Sequence, residues 1–206
     1  MNLNTKPLQR AVKMDKDKQF ELQKILLGFA LTTIVGSIIT ILAQKLDFDY
    51  QQKQNLIQTE KAAAQKCFED VSVLLDTRVY KMRKIIWAYQ DSRPESDIIA
   101  RWNDYSTFLE LWNNNINKNS ALISRYFGNK RRSQFEAIHS KFREAGNIIQ
   151  PLRYTSIGDS SKIKNAKKII DDFNSDIYLF DASLLNQIQN ENIGVFLKNE
   201  DKIDIQ

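Results

Sequence analysis

The longest apolar stretch of the chain lies near its start. Residues 25–43 read ILLGFALTTIVGSIITILA and contain no charged residue, Asn, Gln, His or Pro. As a helix, these 19 residues would extend about 28 Å, close to the thickness of the hydrocarbon layer of a membrane. A core helix of a soluble protein would show a polar face over about five turns, and this stretch has none. The pattern predicts a transmembrane helix at residues 25–43.

Beyond residue 45, apolar residues recur at the three-four spacing of an amphipathic helix. Residues 46–91 contain no Gly or Pro, so the membrane helix can continue outward into them as one helix. Pro94 ends this helix, because proline cannot extend it. The apolar positions form a heptad-like stripe, typical of a coiled coil, made of Ile57, Ala64, Phe68, Val71, Leu75, Met82, Ile86 and Tyr89.

The rest of the chain predicts further amphipathic helices and no strand. With the first helix at about residues 46–91, the others are expected at about 95–127, 130–150 and 161–190. Residues 153–161 form a loop between the last two, and residues 198–206 form a flexible tail. Four amphipathic helices with short connections favour an antiparallel bundle. The predicted fold is all-α: a single N-terminal transmembrane helix continuing into an irregular antiparallel four-helix bundle domain at residues 44–197.

The distribution of basic residues predicts the orientation in the membrane. Residues 1–24 form a short basic tail with six Lys or Arg, whereas residues 45–64 carry three. Basic residues are retained on the cytoplasmic side. We therefore expect a cytoplasmic N-terminus and an extracytoplasmic helical domain, in a bacterial inner membrane. A cleaved signal peptide is the alternative, but the apolar stretch exceeds the usual length and no A-x-A-like cleavage site follows it.

Composition narrows the chemistry that the chain can perform. It has one Cys, Cys67, and one His, His139, which excludes an internal disulfide and the common zinc sites. No phosphate-binding loop, G-x-S-x-G or H-E-x-x-H motif occurs. We therefore expect no enzyme activity, no metal and no cofactor. A positive net charge, here +5, is common in proteins that bind nucleic acid. Beyond residue 45, however, the basic and acidic residues nearly balance, so no nucleic acid is expected as a partner.

Several residues are candidates for packing or binding. Gly28, Thr32, Gly36 and Thr40 recur every four residues and form a small-residue face, which lets another membrane helix approach closely. Chance is the alternative, because Gly and Thr are common in such helices. The tryptophans are candidates for core anchors or for the walls of a pocket between helices: Trp87, Trp102 and Trp112. The basic cluster at Arg78, Lys81, Arg83 and Lys84 is expected on a solvated face.

These features predict a single-pass, membrane-anchored helical-bundle protein in the cell envelope. Its expected function is that of a non-enzymatic interaction or assembly subunit of a membrane complex. Its expected partners are the lipid bilayer and either a membrane protein or another copy of this chain. The first alternative is an extracytoplasmic sensor or ligand-binding module. The second is a membrane-acting effector, which would need many copies because a single apolar helix has no polar pore face.

Overall fold

The computed structural model of this chain describes residues 16–154 and 160–202, and the regular structure in these residues is entirely helical. Two 3₁₀ turns, at Gln150–Tyr154 and Gly194–Phe196, connect the later helices. Residues 155–159 of the predicted loop, and residues 1–15 of the predicted N-terminal tail, lie outside the described residues. The α-helices are α1 Lys16–Gln90, α2 Glu95–Phe127, α3 Asn129–Ile149, α4 Ser160–Gln189 and α5 Asn199–Lys202.

Helix α1 joins the two segments that the hydrophobic pattern treated separately. The apolar segment at 25–43 and the amphipathic segment at 46–91 belong to one helix of 75 residues. Gln44 and Lys45 between them are both good helix formers, so nothing in the sequence interrupts the backbone hydrogen bonds there. The helix begins at Lys16, inside the stretch predicted as a short basic tail, and ends before the turn that contains Pro94.

The chain divides into two compact units, residues 1–54 and residues 55–206. In the first unit, every side chain described between residues 17 and 53 is exposed. The second unit contains the hydrophobic core, to which α1, α2, α3 and α4 all contribute. Thus one unit consists of exposed helix, and the other buries its apolar residues as a folded domain does.

The residues buried in the core of the second unit are the apolar residues that recur at three-four spacing along its helices. On α3, the apolar residues at three-four spacing are all buried: Phe135, Ile138, Phe142, Ala145 and Ile149. On α4, the buried residues include Ile163, Ala166, Ile170, Ile177, Phe180, Leu184 and Ile188. Each of these large side chains contributes roughly 1.5–3 kcal/mol when fully removed from water. Burial of these stripes therefore drives the packing of α3 and α4.

The end of the chain differs from the predicted flexible tail over residues 198–206. Residues 199–202 form the short helix α5, and Asp201 in it is buried. Its carboxylate accepts a hydrogen bond from the Asn192 side chain at 2.7 Å. Asp201 also lies against the backbone of Gly128, the residue between α2 and α3. Residues 199–202 of the predicted flexible tail are therefore helical, while residues 203–206 lie outside the described residues.

Gly128 permits this contact in two ways. Its φ of 88° and ψ of 169° belong to a backbone region that is essentially restricted to glycine. A Cβ atom built on Gly128 would overlap the backbone carbonyl of Asp201. The residue between α2 and α3 is therefore constrained both by its own conformation and by the approach of α5.

We expect Gly128→Ala to lower the free energy of unfolding by at least about 2 kcal/mol, because it adds backbone strain and a clash with a carbonyl group. Thermal and denaturant unfolding followed by circular dichroism measure this change. Gly146→Ala is the matched control: Gly146 lies within α3, and a Cβ there meets no atom within 4 Å. The control should be neutral or stabilising by about 1 kcal/mol, because alanine favours helix. Equal stability of the two variants would contradict the contact between Gly128 and α5.

Candidate functional site

The first candidate surface is the apolar segment of α1 at residues 25–43. Among the described residues, α1 is the one helix long and apolar enough to cross a membrane. The large apolar side chains of this segment are exposed, for example Ile25 at 69%, Leu27 at 72% and Phe29 at 72%. Monomeric soluble proteins rarely expose a continuous apolar surface of this length. Within the described residues, no other part of the chain covers this segment.

The hydroxyl groups in this segment are all bonded within the helix. Thr33 donates to the carbonyl of Phe29 at 2.8 Å, and Ser37 donates to the carbonyl of Thr33 at 2.7 Å. These bonds leave no hydroxyl proton to be solvated, which lowers the cost of placing Ser and Thr in hydrocarbon. The polar side chains in the apolar segment are thus compatible with a membrane.

The small-residue face predicted from the sequence is a feature of the same helix. Thr32 donates to the carbonyl of Gly28 at 2.9 Å, and Thr40 donates to the carbonyl of Gly36 at 2.8 Å. A Cβ built on either glycine meets no atom of the chain within 4 Å. The four residues therefore form a shallow face whose polar groups are internally satisfied, the type of surface on which membrane helices approach closely.

The three tryptophans have different environments. Trp102 and Trp112 are 6% and 2% exposed and belong to the core of the second unit. Trp87 is 42% exposed and does not belong to the core, so of its two predicted roles that of a pocket wall remains. It lies on the outer side of α1, with its ring edge-on to Tyr80 at 6.3 Å between centroids, and lines a shallow pocket of about 270 Å³ together with Arg83 and Asp171.

The second candidate site surrounds Arg78, whose position the sequence prediction missed. Arg78 was expected on a solvated face, but it is only 4% exposed. It follows Leu75 by three residues and precedes Met82 by four, and both of these are fully buried. That spacing places residue 78 on the inner face of α1. The helical period, applied to the charged residue as well as to the apolar ones, would have located it in the core.

The Arg78 guanidinium is held between two aromatic rings. Its Cζ atom lies 4.5 Å from the ring centroid of Trp112 and 4.5 Å from that of Phe142. Such cation–π contacts are worth about 2 kcal/mol or more when the cation is desolvated. The rings stabilise the charge from the faces of the guanidinium, but they do not replace hydrogen-bond acceptors in its plane.

The hydrogen bonding of Arg78 is incomplete. Tyr105 interacts with the guanidinium through its hydroxyl group, but Arg78 Nε and Nη1 have no hydrogen-bond partner. Among the described residues, no carboxylate forms an ion pair with Arg78. Burial lowers the pKa of Arg78, yet a guanidinium remains charged in proteins. The core thus contains a cation with unused donors.

A cavity of about 610 Å³ adjoins this cation. Its lining includes the basic residues Arg78, Arg143 and Arg153, and one carboxylate, that of Glu144. None of these four forms an ion pair within the described part of the chain. The remaining polar lining includes Ser106, Asn113, Ser140, Asn147 and Gln150, and the aromatic lining includes Trp102, Tyr105 and Phe142. The lining is thus mainly polar, with three aromatic side chains, and carries more positive than negative charge.

His139 adjoins the same cluster. Trp112 Nε1 donates to His139 Nδ1 at 3.2 Å, which requires an unprotonated Nδ1. Burial, followed by the positive charges of Arg78 and Arg143, lowers the pKa of His139. The histidine therefore favours its neutral form and positions Trp112 against the guanidinium. Within residues 16–154 and 160–202, no three His, Cys, Asp or Glu side chains are grouped as a metal site requires.

The lone cysteine lies away from this cavity. Cys67 is 3% exposed on α1, and burial raises the pKa of its thiol to about 12. A protonated, covered thiol is a poor nucleophile and a poor partner for disulfide exchange. Cys67 therefore behaves as a small apolar core residue.

Comparison with known proteins provides no relative from which a function can be carried over. Family models, curated proteins and solved structures give no match to this chain. Its function is therefore inferred from its own residues and their contacts.

A titratable group also lies at the contact between α1 and α4. Asp181 accepts a hydrogen bond from Ser72 Oγ at 2.9 Å. Burial raises the pKa of Asp181 from 3.8 to about 6; the nearby Asp76 raises it further, while the Ser72 bond acts against the rise. Because the unfolded chain loses this proton at a lower pH than the folded chain does, the stability of the fold decreases as the pH rises from about 4 to about 6.

We expect Asp181→Asn to raise the melting temperature at about pH 7.5 and to change it little at about pH 3, where the aspartate is largely protonated in both states. The amide oxygen can still accept the Ser72 bond, so the variant removes the charge and keeps the contact. Differential scanning calorimetry across this pH range measures the effect. Asp172→Asn, at an exposed position of α4, is the control. A uniform shift at both pH values would argue against titration of Asp181.

Proposed function

We propose that this chain is a single-pass membrane protein whose helical domain works by binding rather than by catalysis, as an interaction or assembly subunit of a membrane complex. The observation that carries this proposal is the exposed apolar segment at residues 25–43 of α1. Its length matches the hydrocarbon layer, and its hydroxyl groups are internally bonded. Embedding this segment in lipid removes from water the largest apolar surface that the first unit exposes.

We further propose that the helices of the second unit form an antiparallel four-helix bundle. The contacts of α1 support this order: Ser72 bonds Asp181 at 2.9 Å, while the later residue Arg83 bonds the earlier residue Asp171 at 3.0 Å. The same reversal relates other pairs of helices, through Glu60–Arg125 and Lys81–Asp104 between α1 and α2, Ser120–Glu136 and Trp112–His139 between α2 and α3, and Arg131–Gln187 and Lys141–Asp176 between α3 and α4.

The proposed orientation has the N-terminus in the cytoplasm and the helical domain outside it, in a bacterial inner membrane. The six basic residues before the apolar segment, against three in residues 45–64, support it through the retention of positive charge on the cytoplasmic side. In this arrangement the helical domain lies in an extracytoplasmic compartment.

The proposed assembly surface is the small-residue face of α1, formed by Gly28, Thr32, Gly36 and Thr40. Its two glycines let the backbone of a second helix approach, and dispersion contacts over such a surface drive association in lipid, where the hydrophobic effect does not act. The partner is another membrane helix, either of a second copy or of a different subunit.

A second candidate function is that of an extracytoplasmic sensor or ligand-binding module. The specific observation in its favour is the cavity beside Arg78, where a buried cation without an ion pair adjoins a space of about 610 Å³. An assembly subunit has no need of such a cavity. The two functions are compatible, because a ligand that alters the helical domain would act on the complex in which the domain is anchored.

The anchor and its orientation are tested with the full chain fused at its C-terminus to alkaline phosphatase, which is active only after export. We expect the unaltered fusion to be active and to resist alkaline carbonate extraction. The double variant Ile34→Arg with Ile38→Arg should lose both properties, because each arginine near the middle of the membrane costs about 3 kcal/mol.

The matched control carries Leu46→Glu with Tyr50→Glu, two exposed positions of α1 at the same four-residue spacing but beyond the apolar segment, and acidic residues contribute little to orientation. It should behave as the unaltered fusion does. A fusion that resists extraction but lacks phosphatase activity would overturn the orientation alone. Release of the unaltered protein by carbonate would overturn the anchor.

The assembly surface is tested by Gly36→Ile in a membrane two-hybrid assay of the full chain against itself and against membrane proteins that co-purify with it. Because the branched side chain fills the small-residue face, we expect the association signal to fall several-fold. Ala30→Ile is the control, on the opposite side of the helix. If both substitutions leave the signal unchanged, this face is not the assembly surface.

A further inference from the structure

We propose that the cavity beside Arg78 binds a small oxyanion with about two negative charges, a dicarboxylate or a phosphate compound. This inference deepens the second candidate function, ligand binding, and is independent of the membrane anchor. It depends on three features: the state of Arg78, the charge of the cavity and the other groups that line it.

The first feature is the lack of a counter-charge for Arg78. A buried charge is normally paired or hydrogen-bonded, since its loss of hydration is otherwise not offset. Arg78 is 4% exposed and has no ion pair among the described residues, while its Nε and Nη1 atoms have no acceptor. An anion in the cavity, which Arg78 lines, supplies the missing counter-charge and forms charge-assisted bonds with the arginines of the lining. Bonds of this charge-assisted type are among the strongest in proteins.

The second feature is the charge around the cavity. Three arginines and one glutamate line it, Arg78, Arg143, Arg153 and Glu144, so positive charge exceeds negative charge by two. Arg153 is further held near the ring of Trp102, with its Cζ atom 6.0 Å from the centroid. A concave surface lined by one sign of charge focuses the field and attracts ions of the opposite sign. The excess of two charges matches a dianion.

The third feature is the remainder of the lining. A volume of about 610 Å³ lies within the range of small-molecule sites and exceeds the space that one inorganic ion needs. The side chains of Ser106, Asn113, Asn147 and Gln150 can bond polar groups of a ligand, and Trp102 and Tyr105 offer apolar contact. These groups favour a compound that presents a carbon skeleton as well as its oxyanion groups.

The test uses the full chain in detergent and follows thermal unfolding at fixed pH and fixed ionic strength. Succinate, inorganic phosphate and sulfate are each titrated against chloride as the balancing anion. We expect at least one of the three to raise the melting temperature saturably, by about 3–6 °C at high occupancy. A rise that increases with anion concentration without saturation would overturn the inference.

Variants locate the effect within the chain. Arg143→Gln, at an exposed position of α3 that lines the cavity, should weaken the apparent affinity at least tenfold. Lys130→Gln removes one positive charge from the same helix outside the cavity and should leave the affinity unchanged. Arg78→Met should abolish the shift. If that variant does not fold in chloride, Arg153→Gln replaces it, with the same expected weakening as Arg143→Gln.

Two results would overturn the proposal: no saturable shift with any of the three anions, or equal weakening by Arg143→Gln and Lys130→Gln. Either result would leave the anchor and the assembly surface untouched, because those are measured by extraction, phosphatase activity and association in the membrane. Conversely, a chain that carbonate releases but that binds succinate or phosphate at Arg78 would retain this inference without the membrane function.

Discussion

Helix α1 presents two different surfaces along its length, and the hydrophobic core depends on the second of them. At residues 25–43 the helix is apolar on every side, so it has no face that water can solvate without cost. From Ala64 onward it is amphipathic, and its inner stripe becomes part of the core through Val71, Leu75 and Met82. No Gly or Pro separates the two patterns. The covalent continuity of one helix therefore links the exposed apolar segment to the domain that has its own core.

Within that core, Arg78 is the residue that departs from the usual rule. Its neighbours along the inner face of α1 are apolar, and the rings of Trp112 and Phe142 lie 4.5 Å from it. These rings explain how a guanidinium is tolerated there, since their faces attract a cation. His139 contributes to the same arrangement by accepting the Trp112 N–H at 3.2 Å. Three helices thus cooperate to hold a single positive charge next to a cavity.

The sequence predicted the helices well where periodicity and helix breakers agree. Nearly every apolar residue of the stripes on α3 and α4 is buried. Each helix has a single apolar face, and that face leaves water only when it packs inward. Prediction failed where a local rule was overridden by tertiary contacts. Arg78 was expected on a solvated face and is buried. Trp87, expected as a core anchor or a pocket wall, is exposed and lines a pocket, and the predicted tail contains α5, which lies against Gly128. The hydrophobic pattern alone does not reveal the environment of Trp87 or the contact of α5. It does place Arg78 on the inner face of α1, through its spacing from the buried Leu75 and Met82.

The energetics of Arg78 explain why it is assigned a binding role rather than a structural one. Moving a charged group into the interior costs several kcal/mol even after relaxation, and two cation–π contacts return roughly 2 kcal/mol each. A long apolar side chain at this position would fill the space between Trp112 and Phe142 without the cost of dehydration, and such replacements are often neutral or stabilising. Stability alone therefore gives no reason for a guanidinium here. An anion in the cavity that Arg78 lines does, because it offsets the charge that the core leaves uncompensated.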